Sequence, residues 1–259
     1  MIGLFDSGVG GLTVVKEVMR KLPGVALTYF GDTARTPYGN KSAEVVAAYG
    51  LEAAKFLVDR GAQVLVVACN TVSAVGLDAI KQAYPKLPVF DVITPAVSAI
   101  TASGAKHVGV MGTRALVTSG IYQRLLKTAG DYQVIAGAAP LLVPLVEENW
   151  LNKPETKRII KHYLAPFKQA QVECLVLACT HYPLLKKLIA ARLGKRVQVI
   201  DPAAATAAAL ADWLKQNPAA VALTPGQSHF YVSDLTPQAQ AIAQNWLGTT
   251  ITLEKVSLT

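Results

Sequence analysis

Two cysteines of this 259-residue chain stand where thiols can take and give protons. Cys69 ends the apolar run Val64-Leu65-Val66-Val67-Ala68 and is followed by Asn70-Thr71, while Cys179 ends Leu175-Val176-Leu177-Ala178 and is followed by Thr180-His181. Short β-branched apolar runs read as buried strands. In open parallel sheets, ligands bind at the carboxyl ends of strands. A helix starting just past a thiol supplies a dipole and amide donors that favour the thiolate, so both thiols are expected to ionise readily. His181 is expected to hold or relay the proton of Cys179, because imidazole exchanges protons near neutral pH. The third cysteine, Cys174, lies inside the strand run Glu173-Cys174-Leu175-Val176-Leu177 and reads as the small buried hydrophobe that free cysteine usually is. An odd count with no C-x-x-C spacing argues against both a disulfide framework and a metal site.

Around these thiols the sequence offers turns rich in polar side chains. Phe5-Asp6-Ser7-Gly8-Val9-Gly10-Gly11-Leu12 joins a strand to a helix. It approaches the dinucleotide fingerprint G-x-G-x-x-G, with Asp32 near the position of a ribose-binding acid, but Thr13 stands in place of the third glycine. The favoured reading sets Asp6 beside a thiol and leaves turn amides for an anion. The loop Gly31-Asp32-Thr33-Ala34-Arg35-Thr36-Pro37-Tyr38-Gly39 is too polar for a core and suits a binding edge. In the second half, Gly112-Thr113 occupies the matching edge. Glu147-Glu148 follows the apolar stretch Leu141-Leu142-Val143-Pro144-Leu145-Val146 and, on residue types alone, reads as a surface charge pair.

The elements that must hold these residues alternate short apolar runs with helical stretches, the pattern of an α/β protein with mostly parallel sheets. Strands are expected near 2–6, 25–30, 63–68, 88–92, 107–112, 132–136, 173–178 and 197–200. Two more, Phe230-Tyr231-Val232 and Thr250-Ile251-Thr252-Leu253, follow an alanine-rich helix over about Pro202 to Gln216. Ile2-Gly3-Leu4-Phe5-Asp6-Ser7 echoes Val108-Gly109-Val110-Met111-Gly112-Thr113, and Val67-Ala68-Cys69-Asn70-Thr71 echoes Leu177-Ala178-Cys179-Thr180-His181. The two offsets, 106 at the glycine and 110 at the cysteine, nearly agree and point to a duplicated unit. Residues 1–94 with 207–259 are expected to form one α/β domain and 95–206 a second, similar one, each contributing one of the two cysteines.

Composition bounds the partners. A hydrophobic content of 52% suits a well-packed enzyme-sized core. No apolar run approaches the roughly 20 residues of a membrane span, and the N-terminus lacks the pattern of a secretory signal, so a cytoplasmic protein is expected. The formal charge of +8 is spread over short pairs such as Arg20-Lys21, Lys186-Lys187 and Lys195-Arg196. Without interleaved aromatics these form no base-stacking platform, which argues against nucleic acid.

The motifs DSGVGGL, GDTARTPYG, ACNT and ACTHYPLL, in this order, resemble those of the glutamate racemases of the aspartate/glutamate racemase superfamily, and the resemblance spans essentially the whole chain. It implies a cofactor-independent and metal-free isomerase with its active site between the domains, interconverting L- and D-glutamate for peptidoglycan, often as a homodimer. By the same resemblance Cys69 and Cys179 are the acid/base residues, Asp6 assists the first, and His181 and Glu147 assist the second. Substrate contacts are implied for Ser7, Pro37, Tyr38, Gly39, Asn70, Thr71, Thr113 and Thr180. Two positions depart from the family pattern: Leu116 replaces a common threonine, and Asn149 a common glycine. An aspartate racemase of the same superfamily is the nearest alternative. A nucleotide- or anion-binding regulatory module leaves the cysteine pair unexplained, and a Cys-His hydrolase gives the second cysteine no task.

Overall fold

A computed structural model of the chain describes residues 1–218, 221 and 226–258. The first sequence half gives β1 (Ile2–Asp6), α1 (Leu12–Lys21), β2 (Leu27–Gly31), α2 (Ala43–Asp59), β3 (Val64–Val67), α3 (Asn70–Val75), α4 (Leu77–Ala83), β4 (Val89–Asp91) and α5 (Ile93–Ser103). The second gives β5 (His107–Gly112), α6 (Arg114–Ser119), α7 (Ile121–Ala129), β6 (Gln133–Ala138), α8 (Leu142–Glu147), α9 (Pro154–Gln169), β7 (Cys174–Ala178), α10 (Lys186–Leu193) and β8 (Gln198–Ile200). Last come α11 (Pro202–Gln216), β9 (His229–Val232), α12 (Pro237–Leu247) and β10 (Leu253–Lys255).

Every strand pairing among the described residues is parallel. One sheet runs β10-β9-β2-β1-β3-β4 and the other β6-β5-β7-β8. Without β9 and β10 the two orders are the same. The register repeats as well: Gly3 pairs with Leu65, four residues ahead of Cys69, and Gly109 pairs with Leu175, four residues ahead of Cys179. The echo in the sequence is thus a structural repeat of two parallel sheets flanked by helices.

β1, β3 and β7 are buried along their whole length, which is why they read as unbroken apolar runs rather than as alternating ones. The largest apolar cluster joins Leu4 and Val66 of the first sheet, Val14 and Val18 of α1 and Leu210 of α11 to Leu175 and Leu177 of the second sheet and to Tyr182 just beyond it. The halves therefore share an interior, which sets one sheet beside the other. No helix among the described residues is long and apolar enough to cross a membrane.

Strand boundaries differ from the sequence reading mainly at the C-terminus, where β10 begins at Leu253 and not Thr250. The Gln240 side chain of α12 donates to the Ile251 carbonyl at 2.7 Å and accepts from the Leu253 amide at 2.9 Å. A side-chain amide thus takes the place of a neighbouring strand there.

Candidate active site

β1 and β3 bring Asp6 and Cys69 to one wall of the site. Ladder bonding continues past β3, with the Ala68 amide donating to the Phe5 carbonyl at 2.9 Å, so Cys69 sits level with the turn after β1. Cys69 is buried, occupies the N-cap of α3, and donates from Sγ to Ser7 Oγ at 3.5 Å. Burial pushes its thiol up to about 12, and the nearby Asp6 carboxylate adds to the rise. The Ser7 hydroxyl and the amides of Val72 and Ser7 offset only part of this. The expectation of a thiolate at Cys69 is corrected here. The helix end is present, but desolvation and a like charge outweigh it.

Asp6 is buried and accepts from the Gly11 amide at 2.9 Å through Oδ2. Burial raises its pKa against the pull of His181 and of the Gly11, Ser7 and Gly8 amides. The carboxylate thus takes the place at the start of α1 that a phosphate holds in a nucleotide site. Other amides of the turn bond within it, Leu12 to the Val9 carbonyl and Thr13 to the Gly10 carbonyl. Of the amides read as an anion cradle, those of Ser7, Gly8 and Gly11 face Asp6 instead. Asp32 is likewise no ribose ligand: buried at 0% exposure, it accepts from Arg35 Nε at 2.6 Å, from Ser233 Oγ at 2.7 Å and from the Tyr38 hydroxyl. Its role is to fix Tyr38 and the loop around it.

The opposite wall comes from β5 and β7. Cys179 follows β7, and the chain then makes a 3-10 turn over Tyr182–Leu185 before α10 begins. No α-helix starts directly behind this thiol, a second departure from the sequence reading. Its partner is His181, whose Nδ1 lies 3.9 Å from Cys179 Sγ and whose Nε2 lies 2.9 Å from Glu147 Oε1 at the end of α8. Burial pulls the imidazole pKa down, but bonding and attraction to Cys179 and Glu147 overcome it and raise the group to about 10. His181 is thereby held toward its charged form through the neutral range. Its contribution to stability is complete below the ordinary histidine value of about 6.5 and is lost as pH rises through about 10. A pH-rate profile is expected to show an alkaline limb from this group. In Glu147→Gln, which removes an attracting charge, that limb should move to lower pH and kcat should fall about 10-fold; an unmoved limb counts against the pairing.

The two walls close on one chamber of about 30 Å³, lined by Ser7, Pro37, Tyr38, Gly39, Cys69, Asn70 and Thr71 from the first half and Thr113, Cys179, Thr180 and His181 from the second. Thr71 Oγ1 and Thr113 Oγ1 meet across the gap at 3.0 Å. Thr13 Oγ1 of α1 donates to the Thr180 carbonyl at 2.9 Å. Asn70 Oδ1 is buried with no hydrogen-bond partner among the described residues. Glu147 lies outside the chamber on an adjoining cleft of about 520 Å³, which shares Thr36, Pro37, Gly39, Thr113 and Val143 with it. Asp6 sits behind Cys69. Sequence reasoning missed Thr36 and Val143 as lining residues; Thr36 lay in the loop already singled out, but Val143 was hidden in an apolar run.

Residues 13–210 match the family model described as Asp/Glu/Hydantoin racemase. The glutamate racemase of Aquifex aeolicus (strain VF5) is 44% identical over 248 residues, 95% of this chain and 94% of that protein. The crystal structure of glutamate racemase from Francisella tularensis subsp. tularensis SCHU S4 in complex with D-glutamate superposes with a TM-score of 0.93 at 35% identity, covering 99% of this chain and 97% of that one. Glutamate racemase isoform RacE1 from Bacillus anthracis gives 0.95 at 34% identity, covering 100% and 97%.

The chain belongs to the glutamate racemase family. It is an amino-acid racemase, and its two departures from the glutamate racemase pattern have plain structural readings. Leu116 is buried in the core of the second half, and its backbone amide donates to Thr113 Oγ1 at 3.3 Å, so its side chain adds packing beneath a site residue. Asn149 has φ of 55°, a left-handed conformation that glycine adopts freely and asparagine tolerates better than most residues.

Proposed function

We propose that this racemase interconverts L- and D-glutamate without a cofactor, one cysteine removing the α-proton while the other returns one to the opposite face. The observation that carries this reading is the pair of thiols lining a single small chamber, each backed by a different partner. Inversion needs a base and an acid on opposite sides of the α-carbon, and the roles exchange with each turnover. In the closed state the Cys69 side holds its proton and the Cys179 side faces an imidazolium. That charge pattern suits abstraction by Cys179 and donation by Cys69, with the reverse for the other enantiomer. Charge developing on the α-carbon and its carboxylate would be met by the hydroxyls of Ser7, Thr71, Thr113 and Thr180 and the amide of Asn70 in a water-poor site.

A chamber of about 30 Å³ has room for one or two waters and not for an amino acid. Substrate is therefore taken to come in from the adjoining cleft, with the walls parting along the Thr71–Thr113 contact. Two half-domains, 1–94 with 207–259 and 95–206, are the proposed moving bodies, with α11 spanning the junction. We assign D-glutamate made in the cytoplasm for peptidoglycan as the product. The test is circular dichroism of L-glutamate and of L-aspartate with purified protein. The glutamate signal should decay to zero and the aspartate signal should persist; faster loss of the aspartate signal would make the chain an aspartate racemase.

A further inference from the structure

The C-terminal helix α12 reaches the second wall of the chamber from outside it. The Trp246 indole meets the His181 imidazole with ring centroids 5.7 Å apart and planes at 89°, a T-shaped contact, and Trp246 is buried. Its backbone carbonyl accepts from Lys16 Nζ at 2.8 Å, which ties this end of the helix to α1. At the other end Gln238 Nε2 donates to the Glu147 carbonyl at 3.4 Å and to Glu148 Oε1 at 3.3 Å. One helix thus touches both members of the His181–Glu147 pair. It lies past residue 210, where the match to the racemase family model ends.

We propose that Trp246 is a positioning residue for His181, holding the imidazole so that Nδ1 stays on Cys179 and Nε2 on Glu147. This rests on the reading of Cys179 and His181 as an acid/base pair. The contacts with Glu147 and Cys179 hold the two ring nitrogens but leave the ring plane free to swing about the line between them. A perpendicular aromatic neighbour removes the swing. The charged and titratable groups facing His181 are Cys179 on its own loop, Glu147 from α8 and Asp6 from β1. α12 carries no ionisable side chain, and lost burial alone would raise the His181 midpoint, so a lowered midpoint on altering Trp246 reports loosened contacts with Cys179 and Glu147.

The test is a graded series, Trp246→Phe and Trp246→Met, read by NMR titration of His181 and by kcat and KM in both directions. Trp246→Met keeps apolar bulk without a ring, and should lower kcat about 10-fold with little change in KM, the size of an aromatic pair contact. The His181 midpoint should fall below that of the wild type, and Trp246→Phe should lie between the two. Should Trp246→Met not fold, the Trp246→Phe midpoint decides, lowered in support or unchanged in refutation. A folded Trp246→Met protein with wild-type kcat and midpoint overturns the proposal. A lowered midpoint supports the contact whatever Cys179→Ser does; full racemisation by Cys179→Ser overturns the acid/base reading separately.

Discussion

Cys69→Ser and Cys179→Ser each lower the rate of racemisation by at least about 10³-fold, the range spanned by a positioned proton-transfer group, while the protein remains folded. Serine is nearly the same shape as cysteine, and each thiol is buried and makes one side-chain hydrogen-bond contact, with Ser7 for one and His181 for the other. The hydroxyl fits the space, but its proton is far less acidic. Because the partners differ, so should the residual chemistry. Cys69→Ser keeps Cys179 with His181 and Glu147, and should still exchange the α-hydrogen of one enantiomer with solvent. Cys179→Ser keeps Cys69 with Asp6 and should act on the other. Circular dichroism reads the loss and proton NMR in deuterated water reads the exchange. Wild-type racemisation by both variants would refute the assignment.

Gly10→Ala is expected to lower kcat about 10²-fold although it alters no reacting group, the effect of moving a catalytic side chain by about 1 Å. A Cβ on Gly10 would lie 2.3 Å from Thr180 Oγ1, 2.6 Å from His181 Cε1 and 2.7 Å from His181 Nδ1. Neither neighbour can yield cheaply. Thr180 is buried and its carbonyl is held by Thr13, and the His181 ring is held between Cys179 and Glu147. Gly10 does not have a positive φ, so the cost is one of space and not of backbone conformation. Gly8→Ala is the control, since its Cβ would meet only the Thr36 side chain, at 3.2 Å and beyond. The expected order of activity is wild type, Gly8→Ala, then Gly10→Ala. Equal activity in all three would mean that the turn does not set the position of His181.

The sequence was most legible where one local pattern decided the outcome. Buried parallel strands announce themselves as apolar runs, and a polar break after each run marks the carboxyl edge, so the positions of Cys69 and Cys179 are legible without any knowledge of contacts. The echo around Gly3 and Gly109 survived because both glycines hold the same register against the cysteine-bearing strand. Properties that depend on distant partners were not legible. The Cys69 thiol is raised by burial and by Asp6, which come from the packing of β1 on β3 and not from the helix end that follows it. Glu147 looked like surface charge because nothing near it in the chain shows that α8 ends at His181. The glycine-rich turn suggested anion binding because its spacing reports flexibility and close approach without saying what approaches. Asp6 fills the helix end, and Thr180 with His181 crowds Gly10. Trp246 carried no signal, lying in an ordinary amphipathic helix more than sixty residues after the histidine it meets.

Transfer between two thiols on opposite faces is tested most directly by the fate of the α-hydrogen. L-Glutamate is incubated with the protein in deuterated water, and substrate and product are separated early, before the reverse reaction contributes. The D-glutamate formed should carry deuterium at the α-carbon while the remaining L-glutamate keeps its original hydrogen, because the proton is taken by one thiol and supplied by the other. Product that retains the original hydrogen would show that one group carries it from face to face, and would contradict the account.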